Sequence, residues 1–255
     1  MNGKQDNREP LILAIETATR AGSVAVAKGG NVLASQVGDA AVSHSANLIE
    51  LIEQVLKDAG ANLSDIDLFA AAVGPGSFTG LRIGLATVKA LANCTGRKVV
   101  GISTLAAIAH ASRINGDVIS LLPAGRGEVF AQRFSTGKGS VEAIDTAAHL
   151  SPRALLEKYG ELESLAWAGD GAHQQIELLT AWATDKGFSV NGSGANDSGW
   201  KIIEQTDHLA KAVAVLALKE YEEGKSSSAE ELHAVYVRAS DAEINERWQQ
   251  EKARR

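Results

Sequence analysis

The chain has 255 residues, of which 45% are hydrophobic and 22% are charged, proportions typical of a globular protein with one large core or two smaller ones. Its formal net charge of -6 disfavours nucleic-acid binding by this chain alone, because cations supply most of that affinity. The single cysteine, Cys94, excludes an internal disulfide. No apolar run reaches the roughly 20 residues that span a bilayer, and the N-terminal residues are polar. We therefore expect a cytoplasmic protein.

In chain order, the first half is predicted to be a strand meander followed by alternating helices and strands. The predicted strands span residues 11–15, 23–27, 31–37, 68–73 and 98–102. The predicted helices span residues 45–59, 79–93 and 104–112. Strands that alternate with helices after a meander predict a mixed sheet covered by helices.

The second half begins with a similar strand–turn–strand unit over 118–134, which predicts a duplicated lobe. Further elements are predicted over 147–159, 165–168, 172–184 and 207–221, with a polar loop at 189–199 and a charged helix at 241–255. The predicted domains are a flexible N-terminus (1–9), an N-terminal lobe (10–113), a C-terminal lobe (114–228) and a C-terminal extension (229–255). Helix 207–221 is a candidate to pack back on the first lobe.

The most informative stretch is the loop Gly-Pro-Gly-Ser-Phe-Thr from Gly74 to Thr79, which follows a predicted strand and opens a predicted helix. Its glycines would let the backbone approach a ligand, and a helix N-terminus favours an anion. The alternative is structural: Gly74 and Gly76 form a tight turn, and Ser77 or Thr79 caps the helix. The loop matches neither the Walker motif nor the dinucleotide-binding pattern of glycines.

The helix after this loop carries interior glycines at positions 80 and 84. Each costs about 1 kcal/mol relative to alanine, so a compensating close contact is expected. Its side chains are small or apolar almost all round, which indicates burial on more than one side. Two interpretations stay open: a central core helix, or a helix that packs on its own sheet and also on a partner protein.

The residues Val73 to Leu85, together with Leu13 to Thr19 and Ser43-His44-Ser45, strongly resemble the TsaB (YeaZ) family, which serves in synthesis of threonylcarbamoyladenosine next to the tRNA anticodon. The resemblance is dense from about Leu11 to Ala111 and thins afterwards. It implies a two-lobed α/β fold of the actin, Hsp70 and sugar-kinase (ASKHA) class, with duplicated ribonuclease H-like mixed sheets flanked by helices. It also implies a non-catalytic subunit that supports a TsaD-like catalytic paralogue in transferring the threonylcarbamoyl group to tRNA.

The resemblance further implies docking to that paralogue through the helices at 45–59 and 79–93. The residues expected at this interface are His44, Leu48, Leu51, Ile52, Val55, Gly80, Gly84, Leu85 and Val88. For His44, a cap or surface role is the alternative. Other expected partners are a TsaE-like ATPase and tRNA, the latter mainly through partners, and a homodimer is an option when the chain is alone.

Nucleotide or phosphate could face the two loops of the first lobe. The candidate residues are Glu16, Thr17, Thr19, Gly74, Gly76, Ser77 and Thr79. No intrinsic cofactor is expected, and ATP or ADP is a candidate at the interface with the catalytic partner. At the second hairpin the family commonly has an aspartate where this chain has Pro123, so efficient nucleotide hydrolysis by this chain alone is disfavoured, although weak hydrolysis stays open.

Two other kinds of site are disfavoured by the sequence. The six histidines lack metal-binding spacing, so no metal site is expected. Cys94 near a helix C-terminus is predicted to be buried and inert. The alternative function is a free-standing ASKHA-fold, ATP-dependent small-molecule kinase, whose turnover would depend on Glu16.

Overall fold

The computed structural model describes residues 9–192, 199–203 and 208–237. The strands are β1 (Leu11–Glu16), β2 (Ser23–Lys28), β3 (Asn31–Val37), β4 (Leu68–Gly74), β5 (Lys98–Ser103), β6 (Gly116–Gly125), β7 (Glu128–Gly137), β8 (Ser140–Ala143), β9 (Ala148–Leu150), β10 (Leu165–Ala168), β11 (Ser189–Val190) and β12 (Gly199–Ile203). The helices are α1 (His44–Asp58), α2 (Phe78–Thr95), α3 (Thr104–Ala111), α4 (Pro152–Tyr159), α5 (Asp170–Gln174), α6 (Ile176–Lys186) and α7 (Leu209–Glu222), with a 3-10 turn at Leu63–Asp65. The predicted helix 241–255 and most of the predicted flexible N-terminus lie outside the described residues.

The first lobe is a five-stranded mixed sheet in the order β3-β2-β1-β4-β5. β1 pairs antiparallel with β2 and parallel with β4, because a short turn joins the first pair and a helical crossover joins the second. One face of the sheet packs against α1 and α2, and the other packs against α3 and α7. The expectation of a mixed sheet covered by helices is confirmed.

The second lobe repeats this arrangement around a seven-stranded sheet in the order β11-β12-β10-β6-β7-β8, with β9 paired to β7. As in the first lobe, its first strand, β6, pairs antiparallel with the next strand and parallel with a later one. On the side of this sheet that packs against α4 and α6, the core contains two tryptophans, Trp167 and Trp200. Their ring centroids lie 4.9 Å apart in an edge-on arrangement. The duplicated architecture expected from the sequence is therefore present.

The layer between the two sheets consists of α3 and α7. Leu105 and Ile108 of α3 pack with Phe134 of β7, and Leu209 at the start of α7 joins the same cluster. The backbone N–H of Ala210 donates a hydrogen bond of 3.0 Å to the hydroxyl of Ser23 in β2. Helix α7 thus packs on the first lobe, although it follows the second lobe in sequence.

Residues 227–237, called here the return segment, also pack against the first lobe. Ser227 exchanges backbone hydrogen bonds of 2.9 and 3.0 Å with Val99 in β5, and the Val235 N–H donates to the carbonyl of Val73 at 2.7 Å. Ala229 and Leu232 are buried in the core beneath α2. The described part of the predicted C-terminal extension therefore completes the first lobe.

Some elements differ from the predictions. The strands β8, β11 and β12 are not predicted; β11 lies within the predicted polar loop 189–199, and β12 begins at its last residue. The element predicted over 172–184 without a helix assignment is two helices, α5 and α6, because the chain bends at Gln175, whose side-chain amide donates to the carbonyl of Gly127 at 2.8 Å. No helix in the described part of the chain is long and apolar enough to cross a membrane.

Candidate functional site

The turn between β1 and β2 is organised around the carboxylate of Glu16, which is 0% exposed. Its two oxygens accept hydrogen bonds from the Thr19 N–H at 2.7 Å, the Thr19 hydroxyl at 2.8 Å and the Ser23 hydroxyl at 3.4 Å. Burial raises the pKa of Glu16, because it penalises the charged form more than these hydrogen bonds favour it. The buried carboxylate of Glu16 therefore stabilises the β1–β2 turn by accepting hydrogen bonds from Thr19 and Ser23.

The glycine loop packs tightly between this turn and the return segment. A Cβ on Gly76 would lie 2.6 Å from the Cβ of Ala18, and a Cβ on Gly74 would lie 2.5 Å from the carbonyl oxygen of Val235. The Ser77 N–H donates to the Ala18 carbonyl at 2.8 Å, and the Ser77 hydroxyl accepts from the Gly80 N–H at 3.2 Å. The structural interpretation thus holds for this loop, with Ser77 as the N-cap of α2.

The interior glycines of α2 make room for the same turn. A Cβ on Gly80 would lie 2.0 Å from the backbone carbonyl oxygen of Thr17, and a Cβ on Gly84 would lie 2.1 Å from the Thr17 hydroxyl oxygen. The close neighbour that compensates for these glycines belongs to this chain. The prediction that Gly80 and Gly84 lie at a partner interface is therefore corrected. The absence of their side chains leaves space for the β1–β2 turn of the same chain.

His44 connects α1 to the β1–β2 turn. Its Nε2 lies 3.0 Å from the carbonyl oxygen of Thr19, and the side chain is half-buried. Gly22 leaves room for the ring, since a Cβ there would lie 2.8 Å from Cε1 of His44. The ring thus contacts the turn that holds Glu16, a role that the sequence analysis did not foresee for His44.

Most of the predicted interface side chains lie in the core of the first lobe. Leu51 is half-buried against this core, and the fully buried members of the set are Leu48, Ile52, Val55, Leu85 and Val88. The buried side chains fill space between the helices and the first sheet, so these five offer no surface to a partner of the folded chain. The predicted residue set is corrected accordingly.

The opposite side of the same two helices is open to solvent. We call it the α1–α2 outer face, and it comprises Ala46, Ile49, Ile83, Ala86, Ala90 and Cys94. Ile49 is 57% exposed, whereas Ile83 is partly exposed and partly packed against the core, so the face combines small residues with two isoleucines. Cys94 is exposed rather than buried as predicted, because it lies on this stripe and not on the buried one.

Of the residues predicted to face nucleotide or phosphate, some are buried and others are exposed to solvent. Glu16 and Thr17 are buried, and Thr19 is half-buried with its hydroxyl bonded to Glu16. Gly74 and Gly76 are filled by neighbouring backbone, which leaves Ser77 and Thr79 as the exposed side chains of the set.

The second hairpin, between β6 and β7, carries no aspartate at its turn. Pro123 is exposed there, and Arg126 at the tip has a positive φ of 55°. Glu128 lies 2.8 Å from Nε2 of His149 on the neighbouring strand, which supports an ordinary strand role for this glutamate. Within the described ranges, no group of three or more His, Cys, Asp or Glu side chains could hold a metal ion.

Comparison with solved structures agrees with this two-lobed architecture and shows the fold, which is that of the ASKHA class. The chain superposes on YeaZ from Pseudomonas aeruginosa with a TM-score of 0.71 at 24% identity, covering 89% of this chain and 99% of that one. It superposes on component A of (R)-2-hydroxyglutaryl-CoA dehydratase from Acidaminococcus fermentans with a TM-score of 0.50 at 12% identity, covering 84% and 99%. The expected fold class is confirmed.

Sequence comparison gives the family within this class. A family model described as TsaD, tRNA N6-adenosine threonylcarbamoyltransferase, matches residues 30–247. The tRNA threonylcarbamoyladenosine biosynthesis protein TsaB of Escherichia coli is 31% identical over 231 residues, which cover 89% of this chain and 94% of that protein. This chain belongs to the TsaB (YeaZ) family.

Proposed function

We propose that this chain is a subunit of the machinery that synthesises threonylcarbamoyladenosine in tRNA, where it supports a TsaD-like catalytic subunit. The similarity to TsaB of Escherichia coli along nearly the whole of both chains carries this proposal. The net charge of -6 fits a subunit that leaves most tRNA contact to its partners. A cytoplasmic location is part of the same proposal.

The α1–α2 outer face is the proposed docking surface for the catalytic subunit. Small side chains at Ala86 and Ala90 would let the backbone of a partner helix come close, and Ile49 supplies an exposed apolar anchor. The buried sides of both helices are fixed in the core, so the face is held in one arrangement before docking. Such preorganisation lowers the conformational entropy that binding would otherwise cost.

A supporting role is favoured over catalysis by the state of Glu16. Its oxygens already accept hydrogen bonds within the turn, and the second hairpin carries Pro123 at the position of the family's aspartate. A proline cannot ligate a cation or act as a base. The alternative of a free-standing small-molecule kinase would need an accessible Glu16, and no feature of the described residues favours it.

A nucleotide at the interface with the catalytic subunit is a further part of the proposal. The hydroxyls of Ser77 and Thr79 at the start of α2 are exposed, so they are the residues of the predicted set that could meet its phosphates. Measuring ATP turnover by the purified chain with magnesium tests the supporting role. Turnover that Glu16→Gln abolishes would contradict it.

Co-purification tests the docking surface. Ile49→Glu and Ala86→Glu place a charge on the outer face without entering the core, so each should abolish capture of the TsaD-like subunit from the same organism. Ile176→Glu is the matched control, because Ile176 is 38% exposed on α6 of the other lobe. All three variants should keep the thermal unfolding midpoint of the parent chain.

Capture that survives both outer-face substitutions, or that Ile176→Glu abolishes equally, would contradict docking through this face. Val88→Glu is unsuitable as a test, since Val88 is fully buried and the charge would unfold the chain. The same variants, followed by light scattering of the chain alone, test whether a homodimer uses this face. Recruitment of a TsaE-like ATPase should require the TsaD-like subunit to be present.

A further inference from the structure

A cavity of about 510 Å³ lies between the two sheets, on the side of the first sheet opposite α1 and α2. Its walls come from the C-terminal end of α3, the N-terminal half of α7, the edge strand β3 and the end of β12. The volume falls in the range of small-molecule binding sites. The cavity is separate from the glycine loop and from the outer face, and neither contributes a residue to it.

The cavity lining contains four basic side chains. Its basic side chains are His110, Arg113, His208 and Lys211, and the described lining residues include no acidic side chain. Arg113 and Lys211 carry the fixed positive charge. Burial and the neighbouring Arg113 lower the pKa of His110, which is therefore a neutral hydrogen-bonding group near pH 7. Nδ1 of His208 lies 3.1 Å from the hydroxyl of Ser35.

The other lining residues are mostly apolar. They are Val32, Ala111, Ile203, Ala212 and Val215, together with the polar Ser112. A cavity whose lining combines fixed cations with aliphatic side chains suits a ligand with an anionic group and an apolar body. Inorganic ions alone would leave the aliphatic wall without a partner.

The backbone of Arg113 is a second and independent feature of the cavity. Arg113 follows α3 with a positive φ of 56°, a conformation that costs a residue other than glycine about 1 kcal/mol or more. Glycine is the usual residue at this place after a helix, and it would avoid that cost. Arg113, whose side chain is exposed, thus lines the cavity against the local backbone preference, as is often found at functional positions.

We propose that this cavity binds a small phosphate monoester. The phosphate is held by Arg113 and Lys211, since a guanidinium fork and an ammonium together match a dianion with several acceptor oxygens. The organic part lies against Val32, Ile203 and Val215. This inference goes beyond the proposed subunit role, because binding here leaves the α1–α2 outer face free.

Calorimetric titration of the full chain with phenyl phosphate and with inorganic phosphate tests the proposal. Phenyl phosphate should bind saturably and more tightly than inorganic phosphate, because only the former fills the apolar wall. Arg113→Ala and Lys211→Ala should each weaken binding about tenfold or more, as expected for loss of a charge-assisted hydrogen bond. Bound ligand should also shift the NMR signals of the His110 ring.

The control is the double variant Lys57→Ala/Arg153→Ala, which removes the same two residue types from exposed positions on α1 and α4. It should bind phenyl phosphate as the parent chain does. Equal weakening in this control, or failure of phenyl phosphate to bind more tightly than inorganic phosphate, would overturn the proposal. Val215→Trp should reduce binding of phenyl phosphate by filling the apolar part of the cavity, and unchanged affinity in this variant would also overturn it.

Discussion

Replacing Gly84 with alanine tests the contact between α2 and the β1–β2 turn. In an ordinary helix interior this exchange stabilises by about 1 kcal/mol, because alanine has the higher helix propensity. Here the new methyl group would lie 2.1 Å from the hydroxyl oxygen of Thr17 and 3.2 Å from its Cβ, whereas ordinary contacts begin near 3.4 Å. Either Thr17 or α2 must therefore shift by more than an ångström.

The expected size of the effect follows from two opposing contributions. Overpacking a tight site costs about 1–3 kcal/mol, and the gain in helix propensity offsets about 1 kcal/mol of it. We expect a net loss of about 1 kcal/mol in the free energy of unfolding, which corresponds to a fall in Tm of about 2–4 °C for a chain of this size. Urea unfolding of the isolated chain measures it, provided that the m value stays constant.

A double-mutant cycle identifies the neighbour that requires glycine. Thr17→Ala removes the hydroxyl that the methyl group of Gly84→Ala would meet, so in that background Gly84→Ala should become neutral or stabilising. The coupling energy should be about 1–2 kcal/mol. Gly80→Ala is the matched comparison: its methyl group would meet the Thr17 backbone oxygen at 2.0 Å, which Thr17→Ala leaves in place.

The reasoning would be refuted by either of two results. A stabilising Gly84→Ala in the parent chain would show that Thr17 yields without cost. Equal rescue of Gly80→Ala and Gly84→Ala by Thr17→Ala would show that the hydroxyl is not the atom that excludes a side chain at position 84.

Three further predictions concern the return segment, Glu16 and Cys94. Leu232→Ala should lower the free energy of unfolding in urea by about 2–4 kcal/mol because Leu232 is buried, whereas Val235→Ala, at a side chain 52% exposed, should lower it by less than about 1 kcal/mol. Burial raises the pKa of Glu16 above 4.5, so the stability of the parent chain relative to Glu16→Gln should be greatest below pH 4.5 and fall as the pH rises through the folded pKa; a pH-independent difference in urea unfolding would contradict this. Cys94 should react fully with a thiol reagent in the native chain, and a bulky maleimide there should block capture of the TsaD-like subunit; unimpaired capture would place docking elsewhere.

The helices and central strands could be predicted because their periodicity is strong and local. The predicted helix over 79–93 corresponds to α2, Phe78–Thr95, and the predicted strand at 68–73 corresponds to β4, Leu68–Gly74. The strands β11 and β12 have two and five residues; β12 pairs with β10, which is distant in sequence, and β11 pairs only with β12. Short segments of this kind carry too little periodicity to be recognised.

The candidate site was only partly predictable, because a hydrophobic pattern does not say which neighbour covers each side. The two helices that flank this region were predicted, and the structure has them as α1 and α2. Leu85 and Val88 follow the spacing of a core stripe, while Ile83, Ala90 and Cys94 follow a second stripe on the other side of α2. The contacts between Thr17 and the α2 glycines join residues more than 60 positions apart, which no local pattern shows.

The return of α7 and the return segment to the first sheet has a consequence for folding during synthesis. Residues 11–103 supply every strand of the first sheet, but one face of that sheet receives α7 only after the whole second lobe has been made. At about 5–20 residues per second, the interval between residues 103 and 222 lasts about 6–24 s on the ribosome. The apolar surface destined for α7 is uncovered during this time, so the nascent first lobe is a natural substrate for chaperones.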